Sequence, residues 1–199
     1  MYSRFWALVK TGFLFKMKRI SVFIDGANFF YGLKSLNKKY TDFMFDFEKY
    51  VNKIIANNKL VTIYYYNASL IQKYNKILYW KQVKFFNRLK KIKKIKVVLC
   101  KRQKRIDNEN KEYYVIKGDD IHLSLDMLRD ACKDKYDKAI LISGDGDFAQ
   151  LVNYVRKEEK EVEVHAFKEL TSVALINEAN KHIWIDKKIA NKFFYRPKI

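Results

Sequence analysis

Three short acidic motifs hold the residues of this chain best suited to chemistry. They are Asp25-Gly26-Ala27-Asn28, Lys117-Gly118-Asp119-Asp120 and Ser143-Gly144-Asp145-Gly146-Asp147-Phe148. Two of them directly follow strand-like apolar runs, Ile20–Ile24 and Ala139–Ile142. Carboxylates at the carboxyl ends of neighbouring parallel strands converge on one crevice, where open α/β sheets place their sites. Grouped carboxylates repel one another and raise each other's pKa. A hard divalent cation, Mg²⁺ or Mn²⁺, relieves that conflict, because it takes oxygen ligands and keeps several waters. Such a site activates water for in-line attack at phosphorus.

Each residue also has an ordinary role to weigh. Asp25 or Asn28 could simply cap a helix, and Asp147 reads as an N-cap after the Gly146 turn. Asp119 and Asp120 stand at a helix start, where the dipole favours acids. Capping accounts for any one of these but not for all three motifs. Ser143 could orient a carboxylate or a bound water. Asp126 lies two turns into the helix, roughly 9 Å along its axis, and is a poorer candidate for direct contact.

The chain around these acids is basic. Its 199 residues hold 41 Lys+Arg against 22 Asp+Glu, a formal charge of +19, which favours a polyanionic partner. Between Lys81 and Ile106 there are twelve basic residues and no acid. Lys90, Lys91, Lys93, Lys94, Lys101, Arg102, Lys104 and Arg105, with Lys117, read as a phosphate-tracking surface that leads toward the acidic pocket. Such contacts position a strand without reading its sequence. Cys100 and Cys132 form no framework and fit reduced thiols in a cytoplasmic protein. The three histidines match no zinc spacing.

The elements that position the acids alternate. Strands are expected at 19–25, 60–66, 97–100, 113–116, 139–142, 162–167 and 183–185. Helices are expected at 28–36, from Phe47, at 71–93, from Asp119 or Asp120, at 147–157 and at 172–179. Ile71, Tyr74, Leu78, Trp80, Val83, Phe86 and Leu89 suggest the buried side of the long helix. Ile121, Leu125 and Leu128 suggest that of the later one. The order implies an α/β domain with a mostly parallel sheet over 17–187, an N-terminal appendage at 1–16 and a basic C-terminal tail at 188–199. No run approaches the ~18 apolar residues that span a bilayer. Lys10 interrupts the apolar start, no cleavage site follows it, and Met17 offers an alternative initiator. The aromatics of 1–16 could serve a homodimer contact.

Together, F-I-D-G-x-N at Phe23–Asn28, K-G-x-D at Lys117–Asp120 and S-G-D-G-D-F at Ser143–Phe148 resemble the NYN domain. This is the LabA-like branch of the PIN-like nuclease superfamily, and the resemblance spans 19–186. It implies a three-layer α/β/α sandwich around a central parallel sheet. It also implies a metal-dependent ribonuclease site built from Asp25, Asp120 and Asp145, assisted by Asn28 and Asp147. The family usually carries an apolar residue where this chain has Asp119. Where the family often has Ser-x-x-Leu followed by Asp, this chain has Ser172-Val173-Ala174-Leu175 and then Asn180.

Other classes fit less well. A haloacid-dehalogenase-type phosphatase needs a second Asp at position 27, which is Ala, and no Gly-rich loop ends in Lys-Ser/Thr. A catalytically silent RNA-binding or regulatory module of the same fold remains as the alternative. RNA is the expected partner, and the residues do not separate it from DNA.

Overall fold

Short β-branched and aromatic runs form the strands here, and segments with apolar residues at helical spacing cover them. The structure, a computed structural model, describes residues 17–195, with backbone alone at 114–117. The elements run β1 (Arg19–Asp25), α1 (Gly26–Leu36), α2 (Phe47–Ile55), β2 (Lys59–Ala68), α3 (Lys76–Leu89), β3 (Ile95–Ile106) and β4 (Glu112–Lys117). They continue as α4 (Asp119–Cys132), β5 (Lys138–Ile142), α5 (Ala149–Lys157), β6 (Glu161–Ala166), α6 (Val173–Glu178), β7 (Lys181–Trp184) and α7 (Lys187–Asn191).

The strands make one seven-stranded sheet in the order β4-β3-β2-β1-β5-β6-β7. Among the described strands only the β3–β4 pair is antiparallel. The chain builds outward from β1 to β4, then returns to the other side of β1 as β5. The β1–β5 border is therefore the switch point of the sheet, and its carboxyl end is where a ligand crevice opens.

Alternate residues of β1 serve opposite layers. Ile20, Val22 and Ile24 pack with Phe29, Leu33, Val51, Phe85 and Phe86 from α1, α2 and α3. Phe23, with Tyr64 and Tyr66 of β2, packs with Leu123, Met127, Val152 and Leu175 from α4, α5 and α6. Strands buried on both faces are continuously apolar, as β1 and β5 are. The result is the expected α/β/α sandwich.

The β3–β4 pair does more than close an edge. Ile95–Cys100 pair with β2, whereas Lys101–Ile106 pair with β4, from Lys101 opposite Lys117 to Ile106 opposite Glu112. A two-stranded ribbon thus leaves the carboxyl edge of the sheet and projects about 20 Å. The Asp107 carboxylate closes its turn by accepting the backbone N–H groups of Glu109 (2.9 Å) and Lys111 (2.8 Å). β4 returns to the level at which β3 left. Gly118, at φ +88°, then turns the chain so that α4 starts at the same edge as the ends of β1 and β5.

Several expectations are corrected. α3 begins at Lys76, not at residue 71, because the Asn75 side chain accepts the Leu78 N–H (2.8 Å) and caps the helix there. Its buried residues are Gln82, Phe85, Phe86 and Leu89, whereas Tyr74, Leu78 and Trp80 are exposed. In α4 the inward residues are Leu123, Met127, Asp130 and Ala131, and Ile121 and Leu125 face solvent. The helix expected from Asp147 is a 3-10 turn, Gly146–Phe148, followed by α5. Part of the basic tail belongs to the core: Ala190 and Phe193 are buried, and Phe194 bridges to Phe45. The N-terminal appendage and its dimer contact lie outside the described residues. Among the described residues no helix is long and apolar enough to cross a membrane, and Cys100 and Cys132 are free thiols.

Candidate active site

Asp25 ends β1 at the switch point and is buried. Its Oδ1 accepts the Asn28 backbone N–H (2.9 Å), and its Oδ2 accepts the Ser143 hydroxyl (3.0 Å). Asp25 therefore caps α1 and is also held across the β1–β5 border. The Asn28 side chain makes a second tie, its Oδ1 accepting the Gly144 N–H (3.0 Å). The Ser143 oxygen in turn accepts the Asp145 N–H (3.2 Å). Half-buried Asp145 caps the following 3-10 turn by accepting the Asp147 N–H (3.0 Å). The capping role expected of Asp147 thus falls to Asp145, and Asp147 stands exposed.

The electrostatics bring the three motifs to one place. Burial pushes the Asp25 carboxyl up to about 6; the Asn28 and Ser143 hydrogen bonds oppose this, and the charges of Asp119 and Asp145 add to it. Asp120 is also raised to about 6, by desolvation and then by Asp119, Asp25, Asp145 and Asp147. Asp119 acts as the strongest like charge on both groups. Burial and the charges of Asp119 and Asp120 push the Cys100 thiol at the end of the β2-paired stretch up to about 11. Asp126 is placed differently. Its carboxylate is engaged by the Tyr66 hydroxyl (3.0 Å) and by Arg129 (2.6 Å), so it braces α4 against the sheet.

Beneath the crevice lies a polar chain that sequence reasoning missed. Tyr65 donates its hydroxyl to Asp42 (3.1 Å), and Asn67 donates to the Tyr65 oxygen (3.2 Å). Burial raises the Asp42 carboxyl to about 6. Asp42 had the look of a loop residue, and no spacing signals its burial. Gly26 lies above this chain with an ordinary φ, and a Cβ there would meet the Tyr65 ring and the Tyr66 carbonyl at 2.6 Å. Close approach, not turning, is what requires this glycine. The same holds at Gly146, where a Cβ would meet the Ser172 hydroxyl at 2.8 Å.

An open cleft of about 540 Å³ adjoins the carboxylates, lined by Asn28, Tyr31, Gly144, Asp145, Gly146 and the segment Glu169–Ser172. The segment is tied to the site by the Ser172 N–H, which donates to the Gly144 carbonyl (2.9 Å). Tyr31 and Glu169–Thr171 were not singled out from sequence, and Ser172 was noted only as the start of the Ser-x-x-Leu pattern. Asn180 is remote from the site, since it hydrogen-bonds Val162 near the start of β6. The missing acid at that position takes nothing from the crevice.

The basic strip divides. Lys90, Lys91, Lys93 and Lys94 lie in and around the turn before β3, at the amino edge of the sheet, and Lys94 is held by the Leu60 carbonyl. From Lys94 to Cys100 the extended chain covers about 20 Å, so these lysines sit across the sheet from the acids. Lys101, Arg102, Lys104, Arg105 and the backbone of Lys117 are on the ribbon at the acidic edge. Arg102 donates to the Ser69 carbonyl (2.9 Å) and Lys104 pairs with Glu112, whereas Lys101 and Arg105 are exposed.

Several acids elsewhere are matched by bases, as in Arg19–Asp137, Arg129–Asp130 and Lys138–Glu163. Among the described residues Asp25, Asp119, Asp120, Asp145 and Asp147 pair with no cation. Five such carboxylates suit a hard divalent ion. Among the described residues, however, no three acidic, histidine or cysteine side chains are disposed to hold one ion between them. That arrangement fits an ion such as Mg²⁺, which keeps several waters and needs only one or two carboxylates directly.

The family model of the NYN domain matches residues 19–186. No curated protein matches the chain. Among solved structures, the crystal structure of a Vibrio parahaemolyticus protein of unknown function is 25% identical with a TM-score of 0.69. That match covers 90% of this chain and 97% of the other.

Proposed function

The chain belongs to the NYN domain family, and on that footing we propose that it is a metal-dependent ribonuclease. The observation that carries this reading is the gathering of Asp25, Asp119, Asp120, Asp145 and Asp147, which pair with no cation among the described residues, at the switch point of a chain of charge +19. Asp25, Asp120 and Asp145 would hold Mg²⁺ or Mn²⁺, directly or through water, with Asp119 and Asp147 beside them. When bound, the ion would lower the pKa of a coordinated water and offset charge on the phosphate.

The protein's own contribution is placement. The Asn28 N–H and the Ser143 hydroxyl fix both oxygens of Asp25, each of which keeps a lone pair for the crevice. Ser143 and Asn28 lock the Asp145 loop to β1, so the two strand-end acids keep a set separation. Lys101 and Arg105 on the ribbon would take RNA phosphates at the same edge. The decisive experiment is cleavage of labelled single-stranded and hairpin RNA, with matched DNA, in Mn²⁺, Mg²⁺ or EDTA. Cutting of RNA that stops in EDTA is expected. Tight RNA binding with no cutting in any metal would favour the silent binding module.

A second expectation concerns the strip. Replacing Lys101 and Arg105 together by Ala should weaken RNA binding and reduce the slope of log affinity against log salt by about 1.4, roughly 0.7 for each single-strand phosphate contact. Replacing Lys90 and Lys91 should leave the slope unchanged. Filter binding across a salt series reads both, and an equal effect of the two pairs would remove the ribbon from the substrate path.

A further inference from the structure

We propose that the cleft beside the carboxylates is a subsite for one unpaired nucleobase, with Tyr31 as its stacking surface. This deepens the ribonuclease reading and rests on it for the identity of the strand. Asp145 lines the same cleft, so a base held there belongs to a nucleotide adjoining the phosphate at the acids.

The lining has the chemistry of a base and not of a phosphate. In a chain with 41 Lys+Arg, no cation among the described residues lines this cleft. Instead Tyr31 presents its ring, 64% exposed, from α1, and Leu170 shows a partly exposed apolar side chain from the other wall. The Tyr31 ring is braced by Phe30, with centroids 5.4 Å apart and planes at 74°. The Phe30 ring is itself covered by the Lys34 ammonium at 5.5 Å. An exposed aromatic supported from the side offers a free π-face, which any base can use. At the rim, the Glu169 carboxylate can accept from an exocyclic amino group but would repel a phosphate. The Thr171 hydroxyl proton is already given to the Phe167 carbonyl (2.7 Å), leaving its oxygen to accept. The volume of about 540 Å³ is of the size that holds small organic ligands.

A base stacked in a duplex shows only its edges, so a base must leave its helix to meet Tyr31. The substrate class that follows is unpaired RNA: single strands, loops and bulges. The test reads binding without turnover, in EDTA, using short oligoribonucleotides that carry 2-aminopurine or an abasic residue at successive positions. Tyr31→Ala should weaken binding roughly tenfold or more. Tyr31→Phe should bind as the parent does and preserve the quenching of 2-aminopurine at one position. With the abasic residue at that position, parent and Tyr31→Ala should bind alike. Unchanged affinity in Tyr31→Ala, or the same loss at every abasic position, would overturn the subsite. Because cleavage is never measured, failure here is distinct from failure of the nuclease reading.

Discussion

Replacing Asp25 with Asn is expected to abolish RNA cleavage, by roughly 10³-fold or more, and yet to make the protein more stable at neutral pH. The carboxyl titrates at about 6 in the folded chain against an ordinary value of 3.8. Between those values the folded state binds more protons than the unfolded state, so stability falls as pH rises through the window. Above it the whole penalty remains, about 3 kcal/mol at most. Asn removes the charge while keeping the geometry. Its oxygen still accepts the Asn28 N–H, and its amide can donate to the Ser143 oxygen. For a chain of this size each kcal/mol is worth about 2–4 °C in Tm, so a rise of several degrees is expected. Scanning calorimetry in EDTA at pH 4, 5, 6 and 7.5 measures it as the gap between the two proteins, which should open with pH. Coincident curves would remove the burial penalty, and retained cleavage would remove Asp25 from the site. Added Mn²⁺ should stabilise the parent and not the variant, since a ligand stabilises only the state that binds it.

Gly144→Ala is the second substitution with a large expected effect. The added Cβ would come within 2.4 Å of the Leu170 carbonyl and 3.0 Å of the Thr171 Cα. Both are backbone atoms, so no side chain can swing away. The loop of Glu169–Ser172 or the end of β5 must shift, at a cost of about 1–3 kcal/mol as in other overpacked sites. The same shift strains the bonds from the Gly144 N–H to Asn28 and from the Ser172 N–H to the Gly144 carbonyl. These bonds set the separation of Asp25 and Asp145, and a displacement of about 1 Å at reacting groups costs about 10²-fold in rate. Urea unfolding and kcat under saturating RNA measure the two effects. A variant with unchanged stability and rate would show that the loop yields freely.

The strand ends were legible because chemistry and pattern coincide there. Ile20–Ile24 and Ala139–Ile142 are apolar on both faces, and an Asp-Gly step closes each nearby. The phase of α4 was misjudged on hydrophobicity alone, since Ile121, Leu125 and Leu128 are spaced as well as Leu123 and Met127, and of the three only Leu128 packs, in part, against the core. The acids decide between them. Once Asp119 and Asp120 must face the crevice, positions three, four and seven residues on turn inward, which selects Leu123 and Met127. Tyr74 was misplaced for a different reason: the Asn75 cap divides a run that reads as continuous, and Leu78 and Trp80 then fall in the exposed opening turns of the helix. Proximity in sequence misled in the basic strip, where an extended strand carries neighbouring lysines to opposite edges. The Asp42–Tyr65–Asn67 chain was not legible at all, because it joins a loop to a strand through tertiary contact alone.

The ribbon has a consequence for how this architecture can change. It departs from the sheet at Lys101 and rejoins it at the residue directly opposite, Lys117. Residues can be inserted or lost in facing pairs along it, and a change of two per strand preserves which face each side chain occupies. None of these changes displaces Gly118 or the aspartates that follow. The arm behaves as a cantilever whose length is independent of its anchor, so its reach can change while the acidic crevice at its foot stays in place.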